Sequence, residues 1–460
     1  MPERYREGVS VALFTSDLRL HDQPVLRAAL AGAGHVVPLF VLDSQVRAAG
    51  FDAPVRRAFL AGCLADLDAG LRARGGRLVV REGEVAEETA RVVSEAGARV
   101  VHVAAGVSRY AVRREERLRT ALAPLRCALR VHEAVITVLP PGDVTPAGRD
   151  HFAVFTPYFR RWEAAGPREV TGAPRSVPVP DAITGAALPE RSRSAGVSPG
   201  GLNGGEHAGR ARCTAWLRSS IDAYHELHDD LAGDGTSRLS PYLHFGCLSP
   251  AELVRRARER DGEGARAFVR QLAWRDFHHQ VLAARPDASF RDYRPRDDRW
   301  RTDEAAENAW REGRTGYPVV DAAMRQLRYE GWMHNRGRLL VASFLTKTLY
   351  LDWRTGARHF LDHLVDGDVA NNQLNWQWVA GTGTDTRPNR VLNPLTQATR
   401  FDPHGDYVRR WIPELAAVPG PRVHRPWLLP GPERAALGYP DPLVDLGAGR
   451  ARFERARGLG

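Results

Sequence analysis

The fold is decided by two apolar runs near the start of the chain, VSVALFT at residues 9–15 and HVVPLFVLD at residues 35–43. Three further runs of the same kind follow: RLVVREG at 77–83, RVVHVA at 99–104 and LRVHEAV at 129–135. Apolar residues at three-to-four spacing indicate helices in the intervals between them, over 54–74, 84–97 and 108–122. Short buried strands that alternate with helices predict a parallel, doubly wound α/β sheet.

The carboxyl ends of the predicted strands are where such sheets bind ligands. The first strand is followed by TSDLRLHD at residues 15–22. This segment is not the G-x-G-x-x-G turn that holds the pyrophosphate of NAD. The sequence therefore predicts a doubly wound sheet without a conventional NAD site.

The rest of the chain divides by composition. We predict an α/β domain over 1–135, a connector over 136–209 and a helical domain over 210–460. The connector holds one short aromatic helix, HFAVFTPYFRRW, and then a segment rich in Gly, Pro and Ser over 166–209. That segment has too little apolar surface to offset its ordering entropy, so we expect a partly mobile linker. After residue 210 the patterns are helical and strand signals are absent.

Composition excludes several classes of protein. No run of about 18 apolar residues is present, which excludes a membrane-spanning helix. The N-terminus lacks the pattern of a secretory signal. The four cysteines form no C-x-x-C pair, which argues against a disulfide scaffold, a zinc ribbon and an iron–sulfur motif. We expect a cytoplasmic protein and, since no heptads appear, a monomer without an obligate protein partner.

Charge and tryptophan content give positive indications. The net charge of +10 favours a polyanionic partner such as nucleic acid, although solubility alone would also account for it. Lys347 is the only lysine, so 64 of the 65 basic residues are arginine. Arginine binds phosphate through a bidentate fork, but a GC-rich coding bias gives the same composition. Nine of the eleven tryptophans lie after residue 270, which suggests a role beyond packing.

Two segments have the composition of ligand-binding sites. In GTSRLSP, residues 235–241, small hydroxyl residues precede a helical run, which suits a phosphate; the alternative is that Ser240 caps the helix. On the helix that contains LAWRDF, four side chains share one face at three-to-four spacing: Gln271, Trp274, Arg275 and His278. Their chemistry suits a polar–aromatic pocket, although an ordinary helix with Trp274 in the core would show the same spacing.

The stretch DGDVANNQLNWQW, residues 366–378, concentrates carboxylates, amides and indoles. Asp366 and Asp368 flank Gly367 and are suited to accept hydrogen bonds from ribose hydroxyls or flavin N–H groups. A capped helix start explains the aspartates but not the number of amides. The pair His359 and His363 lacks the Glu of an H-E-x-x-H motif, so we expect no metal site. We expect His334 to be a structural hydrogen-bonding residue.

Seven blocks, in order along nearly the whole chain, resemble the DNA photolyases and cryptochromes. They are FTSDLRLHDQPVLRAAL, GTSRLSPYLHFGCLSP, LAWRDF, TGYPVVDAAMRQLRYEGWMHNR, DWRTGARHFLDHLVDGD, WQWVAGTGTDTRPNRVLNP and YVRRWIPEL. Within the family the chain resembles the class I enzymes that repair cyclobutane pyrimidine dimers. The resemblance implies an N-terminal α/β antenna domain and a C-terminal all-helical FAD-binding domain. It also implies light-driven dimer repair in damaged DNA, by electron transfer from photoexcited reduced FAD.

The resemblance assigns roles by position. FAD phosphates and ribose would be held by Tyr224, Thr236, Ser237, Arg238, Leu239 and Ser240. The flavin ring would be surrounded by Arg338, Asp366, Gly367, Asp368 and Asn372. Electrons would travel from the surface through Trp300, Trp353 and Trp376. A flipped-out dimer would pack against Trp274 and Trp378, would bond to Gln271 and Asn335, and would be flanked by Arg275, His278, Arg336 and Gln397.

Some positions depart from the family pattern. Many dimer photolyases have Glu where Gln271 stands, which leaves two alternatives open, a blue-light sensor without repair and a (6-4) photolyase. The (6-4) enzymes need His at the positions of Asn335 and Leu339, and signalling cryptochromes usually carry a long C-terminal extension, so we expect dimer repair. Folate-binding members have Glu and Cys where Ala111 and Ser289 stand. We therefore expect 8-hydroxy-5-deazaflavin as the antenna rather than methenyltetrahydrofolate.

Overall fold

A computed structural model describes residues 8–190, 201–233 and 235–459. The chain forms two compact units. Among the described residues, the first comprises 8–190, 202–222 and 237–286, and the second comprises 201, 223–233, 235–236 and 287–459. Residues 191–200 of the predicted linker lie outside the described part. Packing therefore groups residues 210–222 and 237–286 with the sheet, whereas composition assigns them to the helical domain over 210–460.

The first unit contains a five-stranded parallel sheet in the order β3-β2-β1-β4-β5. The strands are β1 Val9–Phe14, β2 His35–Asp43, β3 Val79–Gly83, β4 Val100–Ala104 and β5 Ala128–His132. The register pairs Val11 with Val37 and with Val101, which places three valines side by side in the core. The predicted doubly wound sheet is confirmed. From β1 the strands are added on one side of the sheet as far as β3, and then on the other side as β4 and β5. The topological switch point therefore lies between β1 and β4, at their carboxyl ends.

Helices before residue 223 are α1 Pro24–Gly32, α2 Ser44–Ala48, α3 Pro54–Arg72, α4 Val85–Ala96, α5 Arg109–Leu122, α6 Phe155–Ala165 and α7 Glu206–Ser219. The later ones are α8 Tyr224–Leu227, α9 Ser240–His244, α10 Pro250–Arg258, α11 Glu263–Ala284, α12 Glu304–Glu312, α13 Pro318–Glu330, α14 Asn335–Ser343, α15 Trp353–His363, α16 Val369–Ala380, α17 Pro394–Phe401, α18 Asp406–Trp411, α19 Gly431–Leu437 and α20 Leu446–Ala456. Side-chain caps begin several of them, for example Ser108 on the N–H of Ala111 and Asp445 on that of Ala448.

Residues 167–190 contain neither helix nor strand, but their backbone bonds to the sheet region. The N–H of Val36 donates to Pro178 O at 2.8 Å, and Ala186 donates to Val80 O at 2.8 Å. Arg168 forms a bidentate ion pair with the buried Asp22, through bonds of 2.6 and 2.7 Å. These bonds tie the described part of the predicted linker to the first unit.

The second unit is helical and has its own apolar core, which includes Trp310, Phe344, Trp353 and Trp376. A single π-helical turn, Phe344–Thr348, follows α14. It carries Lys347, whose side chain is buried and whose Nζ donates to the carbonyls of Pro388 at 2.8 Å and Arg390 at 2.6 Å. Burial lowers the pKa of Lys347 to about 7. A neutral amine still has two N–H donors, so it satisfies both carbonyls in either protonation state.

Candidate functional site

The residues predicted to hold phosphates include two buried polar groups, the hydroxyls of Tyr224 and Thr236. Tyr224, the first residue of α8, is buried, and burial raises the pKa of its hydroxyl. Thr236 Oγ1 is buried and has no hydrogen-bond partner among the described residues. A buried hydroxyl without a partner is costly unless a ligand or water bonds to it. Thr236 therefore fits a ligand-binding role in the second unit.

The following residues belong to the first unit. Ser237 Oγ accepts the N–H of Leu239 at 3.3 Å, and Arg212 Nε donates to Ser237 O at 2.9 Å. Arg238 has a φ of +51°, a conformation uncommon for a residue with a side chain. The alternative that Ser240 caps the next helix is wrong. The N-cap of α9 is Leu239, no side chain bonds there, and Ser240 is the first helical residue.

The residues predicted to surround a flavin ring come together in the second unit, where α14 and the start of α16 meet. Arg338 Nη2 donates to both oxygens of Asp366, at 3.1 and 2.9 Å, and its Nε donates to Met333 O. The N–H of Asp368 bonds back to Asp366 O at 2.7 Å, so the chain turns tightly at Gly367. Asp368 then caps α16 through the N–H of Asn371.

Asn372 lies one turn into α16 and is buried. Its Nδ2 donates to Ala357 O at 3.0 Å and to Gln373 Oε1 at 2.8 Å. Within the described part of the chain no hydrogen bond reaches its Oδ1. Both amide donors are therefore occupied, and the oxygen is the atom of Asn372 left to accept a ligand N–H.

The three tryptophans of the predicted electron chain belong to the second unit and differ in exposure. Trp376 and Trp353 are buried, while Trp300 is half-buried and packs against the same core. Trp376 meets Phe360 edge-on at 4.9 Å between ring centroids. Trp353 Nε1 donates to Asp292 Oδ1 at 2.8 Å. Two buried indoles and one half-buried indole therefore share a core, and their role in electron transfer stays a prediction.

In the first unit, several side chains on the predicted dimer-binding face of α11 contact other residues of the protein. Trp274 is half-buried, and Phe155 covers one face of its ring, with parallel planes and centroids 3.7 Å apart. The rings of Phe277 and His278 also contact the indole, with centroids 5.5 and 5.7 Å from it. Gln271 is exposed. Arg275 donates to the carbonyls of Ile136 and Leu243, and His278 is buried, so both contribute to packing in this unit.

The residues of the second unit that were predicted to contact DNA also differ in environment. Asn335 is the first residue of α14 and is exposed, while His334 caps that helix by accepting the N–H of Arg336. Arg336 forms a bidentate ion pair with Asp229 and stacks over Phe401 at 4.3 Å. Gln397 Oε1 is buried without a partner among the described residues. The half-buried Trp378 has the guanidinium of Arg390 5.1 Å from its ring.

Sequence patterns missed a cluster of buried charges at the switch point of the sheet. Asp17 follows β1, and burial raises the pKa of its carboxyl. Asp43 ends β2 and accepts the hydroxyl of Tyr110. Arg114, on α5, is buried beside these acids, and its Nε has no hydrogen-bond partner among the described residues. A signal was present in the sequence, because a charged residue directly after a buried strand lies where doubly wound sheets bind ligands.

The described residues contain no group of three or more His, Cys, Asp or Glu side chains arranged to hold a metal ion. The rings of His359 and His363 lie with centroids 4.3 Å apart and planes tilted by 39°, and burial lowers the pKa of His359 to about 3. No described helix is long and apolar enough to cross a membrane.

Comparison with known proteins gives two family matches and close relatives. Residues 10–180 match the DNA photolyase family, and residues 268–457 match the FAD binding domain of DNA photolyase. A deoxyribodipyrimidine photo-lyase of Streptomyces griseus is 68% identical over 98% of this chain and 100% of the relative. A cryptochrome DASH of Natronomonas pharaonis is 36% identical over 95% and 98%.

Solved structures agree with these matches. A bacterial class III photolyase from Agrobacterium tumefaciens aligns with a TM-score of 0.91 at 32% identity and covers 99% of this chain and 98% of its own. A cryptochrome of Synechocystis aligns with a TM-score of 0.90 at 30% identity, over the full length of both chains. The sheet, the helical unit, the Arg338–Asp366 pair and these alignments lead to one conclusion. The chain belongs to the DNA photolyase family and carries its FAD-binding domain.

Proposed function

We propose that this protein is a deoxyribodipyrimidine photo-lyase that repairs cyclobutane pyrimidine dimers in DNA with the energy of light. The observation that carries the proposal is 68% identity, over nearly the whole of both chains, to the Streptomyces griseus relative of that name. The net charge of +10 supports a nucleic-acid substrate, because arginines on the protein surface bind phosphates without regard to sequence.

The described residues fit FAD on two observations: the buried Thr236 Oγ1 without a partner, and the tight turn Asp366–Asp368 beside Arg338. When bound, FAD supplies the photochemistry and the electron. Arg338 fixes the carboxylate of Asp366 as an acceptor for a ring N–H. Asn372 offers its Oδ1, because its donors are already occupied. Tyr224 and the segment Thr236–Ser240 are the assigned ligands of the phosphates and ribose.

The dimer is the part of the substrate that the chain must recognise. We assign one face of Trp274 to stacking on the extruded bases, since Phe155 holds the other face. Base flipping costs a few kcal/mol and is cheapest where damage has weakened stacking. Gln271 and Asn335 are exposed amides suited to bond the carbonyls of the bases, and Trp378 is the second stacking residue. Arg336 and Gln397 keep the predicted role of flanking the lesion, whereas Arg275 and His278 contribute to packing in the first unit.

Trp376, Trp353 and Trp300 form the proposed path that delivers electrons to oxidised flavin. Their support is a common core, in which Trp376 and Trp353 are buried and Trp300 is half-buried. The path recharges the enzyme and does not take part in repair by enzyme that is already reduced.

A repair assay tests the proposal directly. The purified, chemically reduced holoprotein is irradiated with blue or near-UV light in the presence of DNA that contains either cyclobutane dimers or (6-4) lesions. Loss of cyclobutane dimers alone is expected. Loss of (6-4) lesions alone would establish the (6-4) alternative, and light-dependent partner binding without any repair would establish a sensor, which Gln271 leaves open.

For the second chromophore we propose 8-hydroxy-5-deazaflavin at the switch point of the sheet. The support is the buried, partly unpaired Arg114 between Asp17 and Asp43, which suits a polar heteroaromatic ring. Ala111 is buried beside Gly106, at the position where folate-binding members have Glu. A photolyase from Sulfolobus tokodaii was solved with two FAD molecules. Mass spectrometry of the chromophores released from the protein separates deazaflavin from folate and from a second FAD.

The proposal also includes the cellular compartment and the oligomeric state. All four cysteines are free and buried, which suits a reducing, cytoplasmic environment. A monomer is proposed as well, and sedimentation equilibrium of the holoprotein tests it.

A further inference from the structure

Four basic side chains from three helices of the second unit come together outside the residues assigned to FAD, the dimer and the electron path. They are Arg311 in the last turn of α12, Arg328 in the last turn of α13, and His359 and His363 on α15. The ring of His359 meets that of Trp310 edge-on at 5.4 Å, and Arg311 follows Trp310 in the chain. We call these four side chains the basic cluster.

Two nitrogens of the basic cluster are buried without a hydrogen-bond partner among the described residues. They are Arg311 Nε and His359 Nε2. His359 is 8% exposed, so its ring has little access to bulk water. A buried polar nitrogen without a partner is unfavourable, and native proteins normally satisfy such a group with protein, water or a ligand. The cluster therefore presents two donors that the described chain leaves unused.

Positive charge surrounds the buried imidazole. Burial, His363 and the guanidiniums of Arg311 and Arg328 together lower the pKa of His359 to about 3. His359 is therefore neutral near pH 7, and in its Nε2–H tautomer it offers one N–H donor. The ring of His363 is held beside it, because its Nδ1 donates to His359 O at 2.9 Å.

Carboxylates near the basic cluster balance only part of this charge. Glu307 pairs with Arg311 at 2.5 Å on α12, and Asp362 pairs with Arg358 at 2.9 Å on α15. Arg328 is exposed, and in the part of the chain that the structure describes it forms no ion pair. One guanidinium thus remains for an anion, next to two buried nitrogens that need an acceptor.

We propose that the basic cluster binds an oxyanion of the phosphate class, either inorganic phosphate or the phosphate of a mononucleotide. Guanidinium groups bind such oxygens through two parallel N–H bonds, and the imidazole N–H of His359 adds a third direction of donation. A transition-metal ion is the other ligand that paired histidines suit, but the two arginines repel a cation. The site goes beyond the proposed repair activity and does not depend on it.

Ordinary packing is the alternative. Arginines in the last turn of a helix stabilise its negative end, and a buried water molecule could satisfy both nitrogens. That alternative predicts no saturable binding of phosphate at the cluster. The two accounts are therefore separated by a titration.

Calorimetric titration of the full-length holoprotein with inorganic phosphate, at constant ionic strength in sodium chloride, tests the proposal. We expect saturable binding that Arg328→Gln weakens at least about tenfold, the value of one charge-assisted hydrogen bond. Arg358→Gln is the matched control: it also removes one positive charge, but Arg358 pairs with Asp362 and does not contribute to the pKa shift of His359. Its affinity should be unchanged. Absence of saturable binding, or equal binding in Arg328→Gln, would overturn the proposal.

Nitrogen-15 NMR of histidine-labelled holoprotein locates the anion. Phosphate should shift the Nε2 resonance of His359, which is identified by its loss in His359→Phe. Saturable binding that leaves this resonance unmoved would place the anion elsewhere and refute the site. If His359→Phe does not fold, the exposed Arg328→Gln identifies the signal instead, because the phosphate-induced shift should be reduced in that variant.

Thymidine monophosphate in the same titration distinguishes the two sources of the phosphate group. Tighter binding of the nucleotide, weakened by Arg328→Gln, assigns the site to nucleotides, and equal or weaker binding assigns it to free phosphate. Binding of undamaged duplex DNA that depends on Arg328, with no binding of either small ligand, would overturn the proposal. None of these measurements uses light or a lesion, so they judge the basic cluster separately from the repair activity.

Discussion

Gly356, within α15, allows the packing around Trp376 to be tested quantitatively. A Cβ atom built on Gly356 would lie within 3.0 Å of Trp376 Cη2 and Cζ3 and 2.7 Å from Leu345 Cδ2. Ordinary carbon contacts are about 3.5–4.0 Å, so the indole or the helix must shift by about 1 Å. Overpacking of this kind costs about 1–3 kcal/mol, and three close atoms favour the upper half of that range.

Two opposing contributions set the expected size of the effect. Replacement of Gly by Ala in a helix interior gains about 1 kcal/mol, so Gly356→Ala should lower the free energy of unfolding by about 1–2 kcal/mol. Urea denaturation followed by circular dichroism measures this value. Gly431→Ala is the control, since nothing lies within 4 Å of its added Cβ, and its stability should be unchanged or slightly raised.

A double-mutant cycle connects the loss to the indole. Trp376→Phe removes the ring atoms Cη2 and Cζ3, so the double variant should lose at least about 0.5 kcal/mol less than the sum of the single variants. Additive effects, or a Gly356→Ala variant as stable as the unmodified protein, would refute the placement of the Trp376 ring against α15.

Three other perturbations test the site and the fold. Trp353→Phe should stop photoreduction of oxidised FAD but leave repair by chemically reduced enzyme nearly intact, and equal loss of both activities would contradict the electron path. Trp274→Ala should weaken binding to dimer-containing DNA by about 1–3 kcal/mol in a titration, the value of one base stack, and an unchanged affinity would contradict a stacking role. Because burial lowers the pKa of Lys347 to about 7 and the unfolded value is about 10.4, the unfolded chain binds the extra proton between them. The free energy of unfolding, compared with that of Lys347→Met, should therefore rise by about 2 kcal/mol from about pH 7 to pH 9, and a constant difference would contradict the shift.

The secondary structure of the first unit could be predicted closely from sequence. The five strands begin and end within about three residues of the apolar runs that predict them, because a strand buried on both faces needs an unbroken apolar run. The order of the strands was not predictable from these runs. It depends on which strands pair over long stretches of chain, as β1 does with β4, and local patterns do not carry that information.

The hydrogen-bond partners of individual arginines could not be predicted from the sequence either. Arg275 was predicted to face DNA, but its guanidinium bonds to the carbonyls of Ile136 and Leu243. Arg19 is buried, and it donates to Gly246 O and Val135 O, residues distant in sequence. A charged residue is normally solvated, and only the folded chain shows which backbone carbonyls take the place of water.

The Arg338–Asp366 pair shows what motif spacing can and cannot convey. The motifs grouped both residues with one ligand, and the structure brings their side chains into a salt bridge of 2.9 Å. Spacing alone did not show that Asn372 uses both of its amide donors within the protein, because its partners include the main chain of α15. The direction in which a polar side chain remains available is a property of packing.

Lys347 gives this chain an intrinsic probe of local opening. A protease that cleaves only after lysine has one target in the whole sequence, and that target is buried in the π-helical turn after α14. Cleavage therefore requires the turn to leave the core, and its rate measures how often this happens in otherwise native protein. Ligands that stabilise the second unit should slow the single cut, which would show their binding on a gel without any optical signal from a chromophore.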